Sequence, residues 1–299
     1  MKKGVLYGIG AYVLWGFFPI YWKFLHVVPA VQVIGHRIGW SFVVLLIYIL
    51  ATRQWQEFQS VAFSVKTILI YAGAGILLSI NWLIYVWGVN AGFIVETSLG
   101  YFINPLLSVL MGVIFLRERL RPRQWIPVVI ALIGVIYLTI VYGRLPWIAL
   151  SLALSFGFYG LVKKLAPLGS LYGLTLETGI VLPFALIYLV FLQVNGSASF
   201  LHQGTTVDIF LLGAGIVTTI PLLMFASAAK QIPLTMLGIL QYIAPTLQFM
   251  IGVFIYKEPF DQAHLIGFGI VWVALVIFWV ENFTAKRGSV EPIPELGEG

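Results

Sequence analysis

The chain has 299 residues, 61% of them hydrophobic and 9% charged, with a formal net charge of +6 and no cysteine. A water-soluble domain is roughly 45–50% apolar and about 25% charged, so too few polar side chains remain here to cover an aqueous surface, and lipid must be the solvent for most of it. The lack of cysteine excludes disulfides, thiol redox chemistry and thiolate metal sites, and the basic residues are scattered between apolar runs instead of forming a nucleic-acid-binding patch.

Taken in chain order, the uncharged runs are 4–22, 38–52, 67–95, 97–116, 124–143, 145–162, 178–207, 209–229, 231–256 and 262–280. A helix needs about 20 mostly apolar residues to cross ~30 Å of hydrocarbon, and eight of the ten runs are about that long or longer. Run 145–162 is slightly short but begins at Pro146, a favourable first-turn residue. Run 38–52 suffices only if its helix extends back through Arg37 and His36 to about Ala30. The reading is an all-α polytopic membrane protein with ten transmembrane helices. The alternating ten-residue segments of an outer-membrane barrel do not occur. Lys2-Lys3 ahead of an apolar run imitates a signal peptide, but the run is too long and no small-x-small site follows it convincingly. It is therefore taken as the first span. The tail 283–299, with its Pro, Gly and Glu, is expected to be disordered and cytoplasmic.

Orientation follows from the basic residues. With the N-terminus inside, thirteen fall on the cytoplasmic side, including Lys2, Lys3, Arg117, Arg119, Arg121 and Arg123. Three (Lys23, Arg144 and Lys257) fall outside, and Arg37 lies within a span, which accounts for all 17. The positive-inside rule then places both termini in the cytoplasm.

The sequence also repeats itself. "INPLLSVLMGVIFLRERLRPRQW" from Ile103 returns as "IAPTLQFMIGVFIYKEPFDQAHL" from Ile243, with Pro105, Gly112 and Glu118 recurring as Pro245, Gly252 and Glu258, 140 positions later. The same shift lays "GAGI" from Gly73 on "GAGI" from Gly213, and "GFFPIYWK" from Gly16 meets "GFYGLVKK" from Gly157 at a shift of 141. Each repeat, 1–143 and 144–282, holds five spans. An odd number forces the second repeat upside down relative to the first. The arginine cluster after Arg117 therefore faces the cytoplasm, whereas its copy around Lys257, Glu258 and Asp261 faces out. Inverted repeats are a mark of secondary transporters, with the substrate site near mid-membrane.

Six spans carry polar or aromatic residues at mid-depth: Trp15 in the first, Asn81 and Trp82 in the third, Tyr101 and Asn104 in the fourth, Tyr159 in the sixth, Thr218 and Thr219 in the eighth, Gln241 and Tyr242 in the ninth. Such groups should point inward, away from hydrocarbon. They could line a substrate pathway, or individually act as hydrogen-bonding glue between helices. The fifth and tenth spans are apolar at this depth and are expected to face lipid or to form a homodimer. Pro19, Pro105, Pro221 and Pro245 free backbone carbonyls and are candidate hinges. Arg37 lies about seven residues into the second span, where an arginine costs up to about 2.5–3.5 kcal/mol. It either snorkels outward or meets substrate. Glu177 could carry a coupling proton or pair structurally with Lys163 or Lys164. Glu96, beside Thr97-Ser98, suits a helix terminus. No Walker A sequence, metal-ligand spacing or catalytic triad is present. No enzyme activity, cofactor or metal is expected, and the expected partners are a small-molecule substrate and the lipid bilayer, with no nucleic acid.

The stretches "AYVLWGFFPIYWK", "HRIGWS", "NWLIYVWGVN", "ETSLGYFINPL", "SFGFYGLVKK", "GIVTTIPLL" and "GILQYIAPTLQF" resemble the RarD branch of the EamA-type permeases, in the drug/metabolite transporter superfamily. The resemblance covers about residues 4–282. It implies ten helices in two inverted repeats, a bacterial inner-membrane location, and a central cavity lined mainly by spans one, three, four, six, eight and nine. The leading expectation is a secondary active transporter for a small organic metabolite or drug. A non-transporting membrane receptor or scaffold is the alternative, and a membrane-embedded enzyme comes third.

Overall fold

The computed structural model describes residues 2–91, 93–143, 145–257 and 262–287. Among them, every regular element is helical: α1 (Lys2–Gly16), α2 (Phe18–Lys23), α3 (Ala30–Ala51), α4 (Trp55–Ala62), α5 (Val65–Asn90), α6 (Ile94–Phe115), α7 (Trp125–Tyr142), α8 (Trp147–Leu165), α9 (Ser170–Val194), α10 (Thr205–Gln231), α11 (Leu234–Leu240), α12 (Ile243–Met250) and α13 (Gln262–Arg287). Among the described residues, eight segments are long and apolar enough to cross a membrane, so the protein is a multi-pass membrane protein.

The sequence explains several element boundaries. Pro29 precedes α3, so the second span does reach back through His36 and Arg37 to Ala30. Gly143, at φ +77°, ends α7 in the left-handed conformation and donates its N–H to Thr139 and Ile140 carbonyls at 3.3 and 3.0 Å. Two expected spans are interrupted. The first divides at Phe17 into α1 and α2, with Pro19 in the first turn of α2. The ninth divides into α11, α12 and a π-helical turn over Ile251–Ile255, with Gln241 and Tyr242 at the first break. In contrast, α6 and α10 run through Pro105 and Pro221 without interruption. The amphipathic α4, which buries Phe58 and Ala62, was not foreseen from charge spacing. Helix α13 continues to Arg287, so residues 283–287 of the expected tail are helical, and the rest of that tail lies outside the described residues. Glu258, Asp261, Arg144 and the Glu96 side chain also lie outside them.

The chain divides into two compact units, Met1–Glu118 with Arg144–Pro259, and Arg119–Gly143 with Phe260–Gly299. In the second unit α7 packs on α13, and Arg121 Nη1 lies 3.6 Å from Glu281 Oε1. In the first, α1 packs on α10 and α12, α3 on α9 and α10, α5 on α8 and α9, and α6 on α8 and α11. Lipid offers helices no hydrophobic drive to associate, so close packing of small residues holds such bundles together. The repeated GAGI stretch serves this purpose twice. A Cβ on Gly75 of α5 would come within 2.8 Å of Val181 on α9, and one on Gly215 of α10 within 2.5 Å of Trp40 on α3.

Helix faces are apolar outside as well as inside. On α10 Leu211, Ala214, Leu222 and Phe225 are buried while Ile209, Leu212, Ile216 and Ile220 are exposed. An exposed aliphatic stripe at helical spacing is what a lipid solvent requires. One end of the first unit is fastened by side chains on helix termini. Glu118 accepts the Leu234 and Thr235 backbone N–H groups at 2.7 and 2.9 Å, capping α11. Lys164 of α8 donates to the Ala229 and Ile232 carbonyls at 3.1 and 2.7 Å, near the end of α10. Lys230 of α10 returns the contact, donating to the Ala166 carbonyl that follows α8 at 2.6 Å. Cations at helix C-termini satisfy orphan carbonyls and oppose the helix dipole.

Candidate functional site

Helices α1, α2, α3, α5, α6, α8, α10 and α12 of the first unit surround a cavity of about 290 Å³. Its walls have helical periodicity. Leu78, Asn81, Trp82 and Tyr85 line it from α5, and Thr97, Gly100, Tyr101 and Asn104 from α6. Gln241, Ala244, Pro245 and Gln248 line it at and beyond the α11 break, and Trp15, Phe18, Pro19 and Trp22 across the α1–α2 break. Each set follows i, i+3, i+4, i+7, one face of a helix. Tyr12, Arg37, Leu152, Phe156 and Leu222 complete the wall.

Arg37 is the cavity's cation. Its Nε donates to the Thr218 hydroxyl at 3.0 Å. The guanidinium carbon lies 4.1 Å from the Trp82 ring centroid, 4.9 Å from that of Trp22 and 6.0 Å from that of Phe18. Among the described residues no carboxylate pairs with it, and its Nη hydrogens reach no protein acceptor. Cation–π contacts contribute about 0.5–2 kcal/mol each, enough to offset much of the cost of a guanidinium at this depth. The charge is thus sheltered without being neutralised, and its planar fork of donors stays available.

The other expected pathway residues separate into two groups. Trp15, Asn81, Trp82, Tyr101, Asn104, Gln241, Pro19 and Pro245 line the cavity with Arg37. Asn81 also ties α5 to α8, donating through Nδ2 to the Leu152 carbonyl at 2.8 Å and the Ser155 hydroxyl at 3.0 Å. Asn104 presents a buried Oδ1 with no protein donor. Thr218 stands behind the wall and orients Arg37. Tyr159, Thr219, Tyr242, Pro105 and Pro221 are buried and do not line it. Tyr159 stacks on Phe225 at 6.0 Å, and Tyr242 donates its hydroxyl to the Phe102 carbonyl at 3.2 Å. Glu177 is buried and accepts from Lys163 Nζ at 2.7 Å through Oε2.

Sequence depth alone missed Tyr12, Phe18, Trp22, Tyr85, Thr97, Phe156 and Gln248. Helical spacing from recognised positions would have found several. Tyr85 lies one turn beyond Asn81, Thr97 one turn before Tyr101, and Gln248 two turns beyond Gln241. Gln248 has a second task. Pro19 cannot donate to the carbonyl one turn back, that of Trp15, and Gln248 Nε2 donates to it instead at 3.0 Å.

Apolar spanning helices around a cavity with aromatic walls and one unpaired cation define a polytopic α-helical membrane transporter. The model of the EamA-like transporter family matches residues 2–140. The uncharacterized transporter YojE of Bacillus subtilis (strain 168) is 47% identical over 295 residues, 96% of this chain and 97% of that one. Protein RarD of Escherichia coli (strain K12) is 41% identical over 290 residues, 96% and 98% of the two chains. A crystal structure only 17% identical shares the fold, with a TM-score of 0.68 over 94% of this chain and 98% of that one. The chain belongs to the EamA-like transporter family and is a RarD-type member of it.

Proposed function

We propose that the chain is a secondary active transporter that carries a small organic metabolite or drug across the bacterial inner membrane by alternating access through this cavity. The observation that carries the reading is Arg37, held by Thr218 and aromatic faces with its Nη groups unused by protein. A carboxylate or sulfonate suits that fork through bidentate hydrogen bonds. The rings of Trp15, Trp22, Trp82 and Tyr101 suit a planar body. Asn81, Asn104 and Gln241 supply the remaining polar contacts, and Glu177 is the candidate for proton coupling.

The architecture proposed for this task is ten spans in two inverted repeats, 1–143 and 144–282, with both termini cytoplasmic. Three observations support the repeats. Four described non-glycine residues have positive φ, and two of them, Arg117 at 53° and Lys257 at 56°, stand at equivalent positions. Such backbone is uncommon outside glycine. Residues and their own copies also meet, as they can only near a two-fold axis. Tyr242 bonds Phe102, 140 positions away, and the Trp15 and Phe156 rings, equivalent at a shift of 141, lie 6.1 Å apart. Helix pairs exchange in the same way, since α1 with α10 corresponds to α8 with α5, and α3 with α10 to α9 with α5. The exposed apolar residues of α7, Val129, Ile133, Ile136 and Ile140, and of α13, Val273, Val276 and Val280, suit lipid or a homodimer contact.

Proteoliposomes containing the full chain should take up labelled benzenesulfonate, a planar anion that does not permeate lipid, saturably and faster than protein-free vesicles. Benzenesulfonamide, its neutral counterpart, should not compete. Benzenesulfonate uptake no faster than in empty vesicles would reject the planar-anion reading.

A further inference from the structure

Beside the main cavity lies a recess of about 20 Å³, room for one water molecule. Arg37, Trp82, Leu78 and Leu222 line both spaces, so they form the partition between them. The far wall of the recess carries Glu177. Its Oε2 is taken by Lys163, whereas Oε1 is fully buried and closes no hydrogen bond among the described residues, with the Tyr159 hydroxyl set against the carboxylate. A buried carboxylate oxygen without a donor is costly, and the recess that separates it from Arg37 is mainly apolar, so each charge acts on the other across a space of low dielectric. Arg37 and Glu177 also stand 140 positions apart, the shift that superposes Gly73 on Gly213.

We propose that a substrate anion and a proton bind this transporter together, the anion at Arg37 and the proton at Glu177, the two communicating through the electric field across the recess, so that it works as an anion–proton symporter. The proposal rests on the planar-anion reading of the main cavity. Charge supplies the reason. Arg37, Lys163 and Glu177 together carry one net positive charge. An anion at Arg37 neutralises that excess and offsets the field of Arg37 at Glu177, whose near cation is Lys163, so a proton is taken up more readily. Conversely, a proton on Glu177 leaves Arg37 and Lys163 uncompensated, and an anion is held more tightly. Linkage makes the two effects equal. The proton enters as H⁺, forms an O–H bond at Oε1, and no other bond changes. The other groups facing the pair are few. Tyr71 of α5 and Tyr159 of α8 have ring centroids 5.5 and 5.6 Å from Lys163 Nζ, and Lys230 of α10 adds its charge near Lys163.

Titration calorimetry of the purified full chain with benzenesulfonate tests this. Repeating it in buffers of different ionisation enthalpy counts protons, and this ligand brings none of its own. Scanned over pH, proton uptake per anion bound should pass through a maximum of about one half, the most that a tenfold coupling allows, and vanish on either side. Glu177→Gln, which resembles the protonated state, should bind about tenfold tighter than the wild type at high pH, within the range usual for coupled sites, with no proton uptake. Should that variant misfold, the double variant Lys163→Met with Glu177→Met removes both charges and should bind without proton uptake. Binding by the wild type with no proton uptake, or with proton release, overturns the symport proposal and leaves the anion site standing. No binding of benzenesulfonate overturns both.

Discussion

The Arg37 Nε–H meets the Thr218 hydroxyl at 3.0 Å, so a cation on α3 is oriented by an uncharged side chain on α10. An acid in that place would have cancelled the charge. The hydroxyl fixes direction and leaves the field intact.

Thr218→Val keeps the shape and removes the acceptor. The loss of one hydrogen bond to a charged donor is about 1.5–3 kcal/mol, so benzenesulfonate affinity should fall at least tenfold by titration calorimetry while the protein still folds. Arg37→Ala should abolish binding. Arg37→Lys should recover only part of it, because a point charge replaces a planar fork. Full recovery by lysine would mean that the fork is not used.

Glu118 caps α11 through two backbone N–H groups and lies 4.0 Å from Lys164 Nζ. Glu118→Ala leaves both donors unpaired and should cost about 2 kcal/mol or more. It should appear as a clearly lowered unfolding temperature in detergent. Glu118→Gln retains one acceptor oxygen and should fall between the alanine variant and the wild type. Equal melting of all three proteins would deny the cap a part in stability.

Glycine substitutions should divide by what their new methyl group meets. Gly215→Ala drives a Cβ to within 2.5 Å of the Trp40 backbone and strains the Ser41-to-Gly215 hydrogen bond of 3.2 Å. It should reduce folded yield, because backbone cannot step aside as a side-chain tip can. Gly73→Ala meets nothing within 4 Å. It should be neutral or stabilise by roughly 0.5–1 kcal/mol through helix propensity. A fluorescence-detected size-exclusion melt of both variants decides the matter.

Topology can be read on a background free of cysteine. Arg123→Cys should react with an impermeant maleimide only after the cytoplasmic face is opened, and Gln262→Cys should react in intact cells. Labelling of both from one side would end the inverted arrangement.

Membrane spans were legible because lipid imposes a length on apolar runs, so α5, α7 and α10 lie where charge spacing placed them, whereas α3 needed the extension back through Arg37 to Ala30. Breaks within spans were less so. Pro19 and Pro245 sit at helix starts, yet Pro105 and Pro221 pass through unbroken helices, and the proline alone does not say which. For the cavity, mid-depth polarity gives a residue's height but not the direction it faces. That is why Asn104 and Tyr159 looked alike in sequence, although one lines the cavity and the other stacks on Phe225. Facing direction has to be inferred from a second residue one turn away, as Thr97 and Gly100 show for Tyr101. The Lys163–Glu177 pair was one of two equal readings, since fourteen residues across a turn between two helices can bring side chains together or leave them apart.

The contact between Tyr242 and Phe102 has an implication for how such a chain could arise. If two identical five-helix polypeptides met about a two-fold axis, the side chains on that axis would be the same on both sides. Two phenylalanines would bring no hydroxyl, and two tyrosines would have to fit two. In the proposed pair of repeats, one copy offers only a carbonyl and the other the phenol that bonds to it. That division of labour is open to a fused gene, whose halves mutate independently, and closed to a homodimer encoded once.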